Sequence, residues 1–277
     1  MLIANQVGQL ADSAFGLGPR LDAVEAWLGL AAYSLQIYYD FAGYSNMAIG
    51  LGLVTGLALP RNFDRPYTSR SITEFWRRWH ISLSRWFRDY LYIPLGGNRH
   101  GPWRTYRNLA IVFVLCGLWH GASWNFVIWG AWYGAFLVAE RAGLLAVLAR
   151  LPGAARNAYA ILVVMLAWVW FRAETLPDAL AYFSALAGRA GNGSVDAEIG
   201  GLLSPYLIAA FASGSVLALM PRARPRSGLP GRATQGWRQT PLLAFRMARN
   251  TFWAALFALS LISLAGAGYN PFLYFRF

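Results

Sequence analysis

The chain has 277 residues, 57% hydrophobic and 13% charged, with a mean hydropathy of +0.38 and a formal net charge of +12. An average soluble domain is about 45–50% apolar and about 25% charged, so this composition excludes an ordinary soluble domain and points to a membrane. The basic excess is all arginine, yet a nucleic-acid binder would not also carry long apolar runs, and the charge reads as topology signal and lipid-headgroup contact.

Residues 1–22 read as a short helix and a turn at Gly18-Pro19. The apolar run Ala26–Pro60 holds one charge, Asp40, and is too long for a single ~30 Å crossing, so two pieces are expected, Trp27–Tyr39 and Met47–Leu59, broken by D-F-A-G-Y-S-N. Arg61–Arg107 carries ten arginines against Asp64, Glu74 and Asp89 and is expected on the cytoplasmic side. Its centre, Ser71–Ile93, predicts one amphipathic helix: Ser71 and Glu74 fit a capping box, and Ile72, Phe75, Trp76, Trp79, Leu83, Trp86, Phe87 and Tyr90 keep helical spacing. Arg77, Arg78, Arg85 and Arg88 fall opposite, the pattern of a basic helix lying in the membrane interface. Pro94 and Gly96-Gly97-Asn98 are expected to end it.

Asn108–Ala139 is a second long apolar run, with a break expected at Gly117, Gly121 and Ala122-Ser123. Ala158–Phe171, Ile199–Met220 and Thr251–Gly268 read as further transmembrane helices, the first two separated by an acidic extracytoplasmic region. Arg222–Arg249, with seven arginines, no acid and several prolines, reads as a basic cytoplasmic loop. The fold expectation is an all-α, polytopic integral membrane protein forming one membrane domain over residues 1–277.

His120 is the side chain of the second apolar run that can exchange a proton near neutral pH. An ionisable group at membrane depth is expensive and reads as functional, either as a general base or as an interhelical hydrogen-bonding group. Apolar burial would keep its imidazole neutral and an acceptor nitrogen available. His80, on the basic helix, reads either as a boundary residue or as a second functional group. His100 reads as exposed and silent. Asp40 can pair with an arginine, cap a helix break or face a polar cavity. Cys116, the one cysteine, rules out an intrachain disulfide and reads as a small buried packing residue. No metal motif, Walker loop or Gly-x-Ser-x-Gly elbow is present.

The blocks Tyr33–Gly52, Asn62–Gly97 (with R-S-I-T-E-F-W-R-R-W-H-I-S-L-S), Arg104–Asn108 and Gly117–Gly130 (with L-W-H-G) resemble the membrane-bound O-acyltransferase family, in particular its bacterial alginate O-acetylase-like branch; Tyr269–Phe277 shares the likeness. The resemblance implies acyl transfer from a cytoplasmic thioester, acetyl-CoA, with no bound cofactor, to a hydroxyl of an extracytoplasmic polysaccharide such as alginate. It also implies a multi-pass protein of the bacterial inner membrane, in contact with lipid and an extracytoplasmic acceptor or transfer protein. Residue by residue, His120 matches the principal catalytic histidine and His80 the second characteristic one. Arg77, Arg78, Arg88, Asp89, Asp40, Trp119, Trp124 and Asn125 are the accompanying candidates for donor binding and for shaping the site. Members of the branch are longer, so N-terminal truncation is expected, and Asn46 stands where the branch has Asp. The alternatives are a non-catalytic membrane subunit of a polysaccharide-modifying complex, or a family member that acts on peptidoglycan or transfers an aminoacyl group.

Overall fold

The computed structural model describes residues 2–190, 196–220 and 239–266. Every regular element among them is helical: α1 (Ala4–Gly16), α2 (Ala23–Val54), α3 (Ile72–Arg78), α4 (Ile81–Phe87), α5 (Pro102–His120), α6 (Trp124–Ala139), α7 (Leu145–Leu148), α8 (Gly153–Arg172), α9 (Leu176–Leu186), α10 (Ala197–Leu202), α11 (Pro205–Leu219) and α12 (Gln239–Gly266). The chain divides into two compact units, one containing α1–α11 and the other α12. Two helical stretches, Trp124–Leu148 and Gly153–Arg172, are long and apolar enough to cross a membrane, and the apolar stretches Pro205–Leu219 and Met247–Ile262 are shorter.

Asp22 starts α2 with a reciprocal capping box: its carboxylate accepts from the backbone N–H of Val24 and Glu25, while Glu25 accepts from the N–H of Asp22. The expected break at Asp40–Asn46 is absent, and α2 runs unbroken from Ala23 to Val54. Residues 40–46 hold one glycine and no proline, and one glycine costs a helix only about 1 kcal/mol. The helix stops at Thr55, whose N–H and hydroxyl bond back to Gly52.

The predicted interfacial helix is also corrected. It breaks at Trp79-His80, where Trp79 is extended and His80 left-handed (φ 43°, ψ 56°). The aromatic stripe splits there: Phe75, Trp76 and Trp79 are buried, whereas Trp86 and Tyr90 are exposed. The segment Asn62–Asp64 holds the break open, since the Asp64 N–H bonds to Arg78 O and the Ile81 N–H to Asn62 O, both 2.9 Å.

The first piece, α3, packs against α6 and α8. At its start, the buried Glu140 carboxylate at the end of α6 accepts from Ile72 N (2.6 Å), Thr73 N (2.8 Å), Thr73 Oγ1 (2.6 Å) and the Tyr159 hydroxyl (3.2 Å). Asn157 Nδ2, near the start of α8, bonds to Tyr67 O and Ser69 O just upstream. At its far end Trp79 packs against Trp168 with the rings tilted at 49°, and Trp76 meets Trp129. From Asn157 to Trp168, or from Glu140 to Trp129, is about 16 Å of helix. The α3–α4 hairpin therefore buries its tip at that depth.

The helices α5 and α6 form the partner hairpin. A Cβ on Gly117 would fall 2.1 Å from Phe126 O, and one on Gly130 2.2 Å from Phe113 O. The two backbones thus touch through glycines contributed by each helix, the close approach that small residues permit in membrane helix pairs. The turn follows His120: a Cβ on Gly121 would strike the Phe126 ring, and Ser123 caps α6 through Asn125 N.

Two further expectations change. The stretch Ile199–Met220 contains two helices, α10 and α11, separated at Leu203-Ser204, with Ser204 capping α11. Residues 239–249 of the expected basic loop are the start of α12, where Pro241 falls in the first turn that tolerates it. Residues 222–238 of that loop and the tail Tyr269–Phe277 lie outside the described residues.

Candidate active site

The tips of the two hairpins meet at a cavity of about 250 Å³. From α2 come Ile37, Asp40 and Phe41; from the α3–α4 tip Trp76, Trp79, His80 and Leu83; from α5 Trp119 and His120; and from α6 and α8 Trp129, Trp168 and Phe171. Nine of the twelve side chains are apolar or aromatic, and the other three are His80, His120 and Asp40, on which the chemistry therefore rests.

His120 is the last residue of α5, and aromatic edges hold its ring: Trp119 at 4.8 Å between centroids, Trp129 at 5.0 Å and Phe171 at 5.0 Å, all near perpendicular. No hydrogen bond from the described residues engages its ring nitrogens, so both remain available to a substrate. Ring packing fixes where the imidazole sits while leaving its polar atoms uncommitted.

His80 is held differently. Its ring meets the Phe41 ring edge-on at 4.7 Å and lies 6.5 Å from Trp119, a ring that both histidines contact. Its Nδ1 is 3.4 Å from both Asn62 Oδ1 and Ser82 Oγ. Asn62 Oδ1 also accepts from the backbone N–H of Ser82 at 3.0 Å, and a backbone N–H can only donate, so that atom is an acceptor. A hydrogen bond between it and His80 then requires the proton on Nδ1 and leaves Nε2 with the lone pair. The left-handed backbone of His80 is unfavourable for a side-chain-bearing residue, a cost of about 1–3 kcal/mol of the kind that gathers at functional sites.

A second cavity, about 540 Å³, opens between α3, α4 and α5. Arg77, Arg85 and Arg88 line it together with Tyr92, Cys116 and apolar residues of α5. It is the basic counterpart of the histidine cavity.

The other sequence candidates are dispersed. Arg78 bonds to Glu74 and Thr68 and lines neither cavity. Asp89 is exposed and paired with Arg88, whose guanidinium holds the carboxyl below its usual range. Trp124 is 73% exposed on the outer face of the α5–α6 turn. Asn125 is buried, its Nδ2 bonding to Ala173 O (2.8 Å) and tying the start of α6 to the end of α8, and it lines neither cavity. Asp40 does line the cavity, mid-helix rather than at a break. Sequence reasoning passed over Phe41, Trp79, Trp129, Trp168 and Phe171 as site walls, and Asn62 as the partner of His80. Their signal is aromatic density in apolar runs, which does not separate a site wall from ordinary core.

The family model described as MBOAT, membrane-bound O-acyltransferase family, matches residues 22–173, a span that contains both histidines and both hairpins. The chain belongs to that family. Among its relatives, proteins named "Probable alginate O-acetylase AlgI" from Azotobacter vinelandii and Pseudomonas aeruginosa are 41% and 39% identical to it, over 100% of this chain and 59% and 61% of their own lengths. A peptidoglycan O-acetyltransferase of Helicobacter pylori is 43% identical over 69% of this chain and 37% of its own length. The chain thus spans about three-fifths of the length of these alginate relatives.

Proposed function

We propose that this chain catalyses O-acyl transfer in a bacterial inner membrane, moving an acetyl group from a cytoplasmic thioester, acetyl-CoA, toward a hydroxyl of an extracytoplasmic polysaccharide. The supporting observation is the meeting of His80 and His120 at one cavity from the tips of separate hairpins. The names of the relatives favour alginate as final acceptor, reached directly or through a transfer protein.

His120 accepts the proton of the attacking hydroxyl. The hydroxyl oxygen adds to the acyl carbon, the new C–O bond forms as the C–S bond breaks, and the proton passes from His120 to the departing thiolate. A neutral imidazole is required for the first step, and a ring enclosed by aromatic edges favours that state. His80, with its proton directed to Asn62, offers Nε2 as an acceptor that orients the bound substrates. Arg77, Arg85 and Arg88 meet the phosphates of the donor, where charge-assisted hydrogen bonds are strongest. The aromatic walls keep water from competing with the acceptor hydroxyl.

The test is His120→Ala in the chain with its membrane context, following acetyl transfer from acetyl-CoA to polymer. Loss of a general base costs about 10²–10⁴-fold in rate. Wild-type acetylation by a correctly inserted variant would sink the role. Peptidoglycan as the better acceptor in the same assay would align the chain with the Helicobacter pylori relative instead.

A further inference from the structure

The wall of the second cavity carries Arg77, Arg85 and Arg88 and no acid, with hydroxyls from Thr73, Ser84 and Tyr92. Among the described residues neither Arg77 nor Arg85 forms an ion pair, whereas Arg88 is gripped by its neighbour Asp89. The grip is bidentate: Arg88 Nε donates to Asp89 Oδ1 at 2.7 Å and Arg88 Nη2 to Asp89 Oδ2 at 3.1 Å. Exposed ion pairs are commonly weak, but this fork fixes the plane of the guanidinium as well as its place. Arg88 and, less strongly, Arg85 hold the Asp89 carboxyl below its usual range, so it is charged at neutral pH. Asp89 itself does not line the cavity, so the pair turns its arginine side toward it.

Resting on the acyltransferase reading and its phosphate-bearing donor, we propose that Asp89 is a positioning residue for donor binding, holding Arg88 by one edge so that the other edge receives a phosphate of coenzyme A. A guanidinium has five N–H groups, and the fork to Asp89 uses two. The remaining three, on Nη1 and Nη2, form the edge that fits a second oxyanion. The charge of Asp89 opposes this by repelling the same phosphate. The Arg88 and Asp89 side chains are 58% and 45% exposed, and across about 7 Å of water and physiological salt that repulsion changes affinity by only about twofold. Ordering a long, rotamer-rich side chain at the moment of binding costs about 2- to 10-fold. Positioning therefore outweighs repulsion. Charge alone predicts the opposite sign, because removing an acid beside a phosphate tightens binding.

The experiment uses the chain in proteoliposomes at physiological ionic strength. Its donors are acetyl-CoA and acetylpantetheine, which carries the same thioester without phosphates. Asp89→Ala raises KM for acetyl-CoA by about threefold or more, leaves kcat at saturating donor unchanged, and leaves KM for acetylpantetheine unchanged. Asp89→Glu, which keeps a carboxylate fork, recovers most of the loss. A KM for acetyl-CoA that is unchanged or lower in Asp89→Ala overturns the positioning role and leaves the acyltransferase reading standing. Equal kcat/KM of the wild type for the two donors overturns phosphate recognition by the arginines, and the role of Asp89 with it. A wild-type chain that transfers acetyl from neither donor overturns the acyltransferase reading itself.

Discussion

His80 and His120 reach one cavity from different hairpins, and both contact the Trp119 ring, 6.5 Å from the first and 4.8 Å from the second. Neither hairpin alone completes the site. If both imidazoles serve one transfer step, their losses are non-additive: His80→Ala and His120→Ala each lower kcat, and the double variant falls little below the worse single one. Acetyl transfer measured for the three variants checks this; multiplicative losses would mean that the histidines act independently.

Asn62 positions His80 rather than reacting. Its Oδ1 meets both His80 Nδ1 and the Ser82 N–H, and its carbonyl accepts from Ile81. Asn62→Ala frees the imidazole to change tautomer and loosens the left-handed turn. Loss of comparable orienting partners costs roughly 10–100-fold in activity. Nitrogen NMR of labelled histidine reads the tautomer directly, and an unchanged Nδ1–H population in the variant would refute the positioning role.

Much of the all-helical, membrane-family character is legible in the chain, because long apolar runs and arginine-rich connections have few other solutions. The end of α5 is readable too, since Gly121, Ala122 and Ser123 offer a stop and a cap. The break at Trp79-His80 is not. The run Ile72–Tyr90 keeps helical spacing throughout, and what interrupts it is backbone pairing to Asn62 and Asp64, a contact that local periodicity does not encode. The opposite error occurs in α2, where local polarity around Asp40 suggests a break but the helix continues through it. Arg78, Trp124 and Asn125 lie beside the histidine motifs in sequence and line neither cavity, because neighbours along a helix face different directions.

The glycine contact between α5 and α6 sets where His120 stands. Gly130→Ala places a methyl carbon 2.2 Å from the Phe113 carbonyl oxygen, well inside van der Waals contact, so the helices must separate. Overpacking of this kind costs about 1–3 kcal/mol, and the displacement reaches the hairpin tip. The expected result is a lower thermal midpoint in detergent together with reduced transfer. Gly134→Ala on the same helix is the control: its Cβ meets only ordinary contacts at 3.5 Å and 3.6 Å, so it leaves the midpoint nearly unchanged.

Glu140 anchors the base of the α3–α4 hairpin by accepting from Ile72, Thr73 and Tyr159. The carboxylate is buried, and the N–H groups it satisfies open a helix that has no other means of pairing them there. Glu140→Ala leaves those donors without their acceptor, at a cost of roughly 2–4 kcal/mol, given about 1.5–3 kcal/mol for a hydrogen bond to a charged group. Glu140→Gln keeps an acceptor oxygen and loses less. Because α3 carries Trp76, Trp79 and the approach to His80, the damage extends beyond stability: hydrogen exchange rises along α3, and transfer activity falls in the order wild type, Gln, Ala. Equal activity in all three, with Ala destabilised, would show that the anchor supports the fold without positioning the hairpin tip.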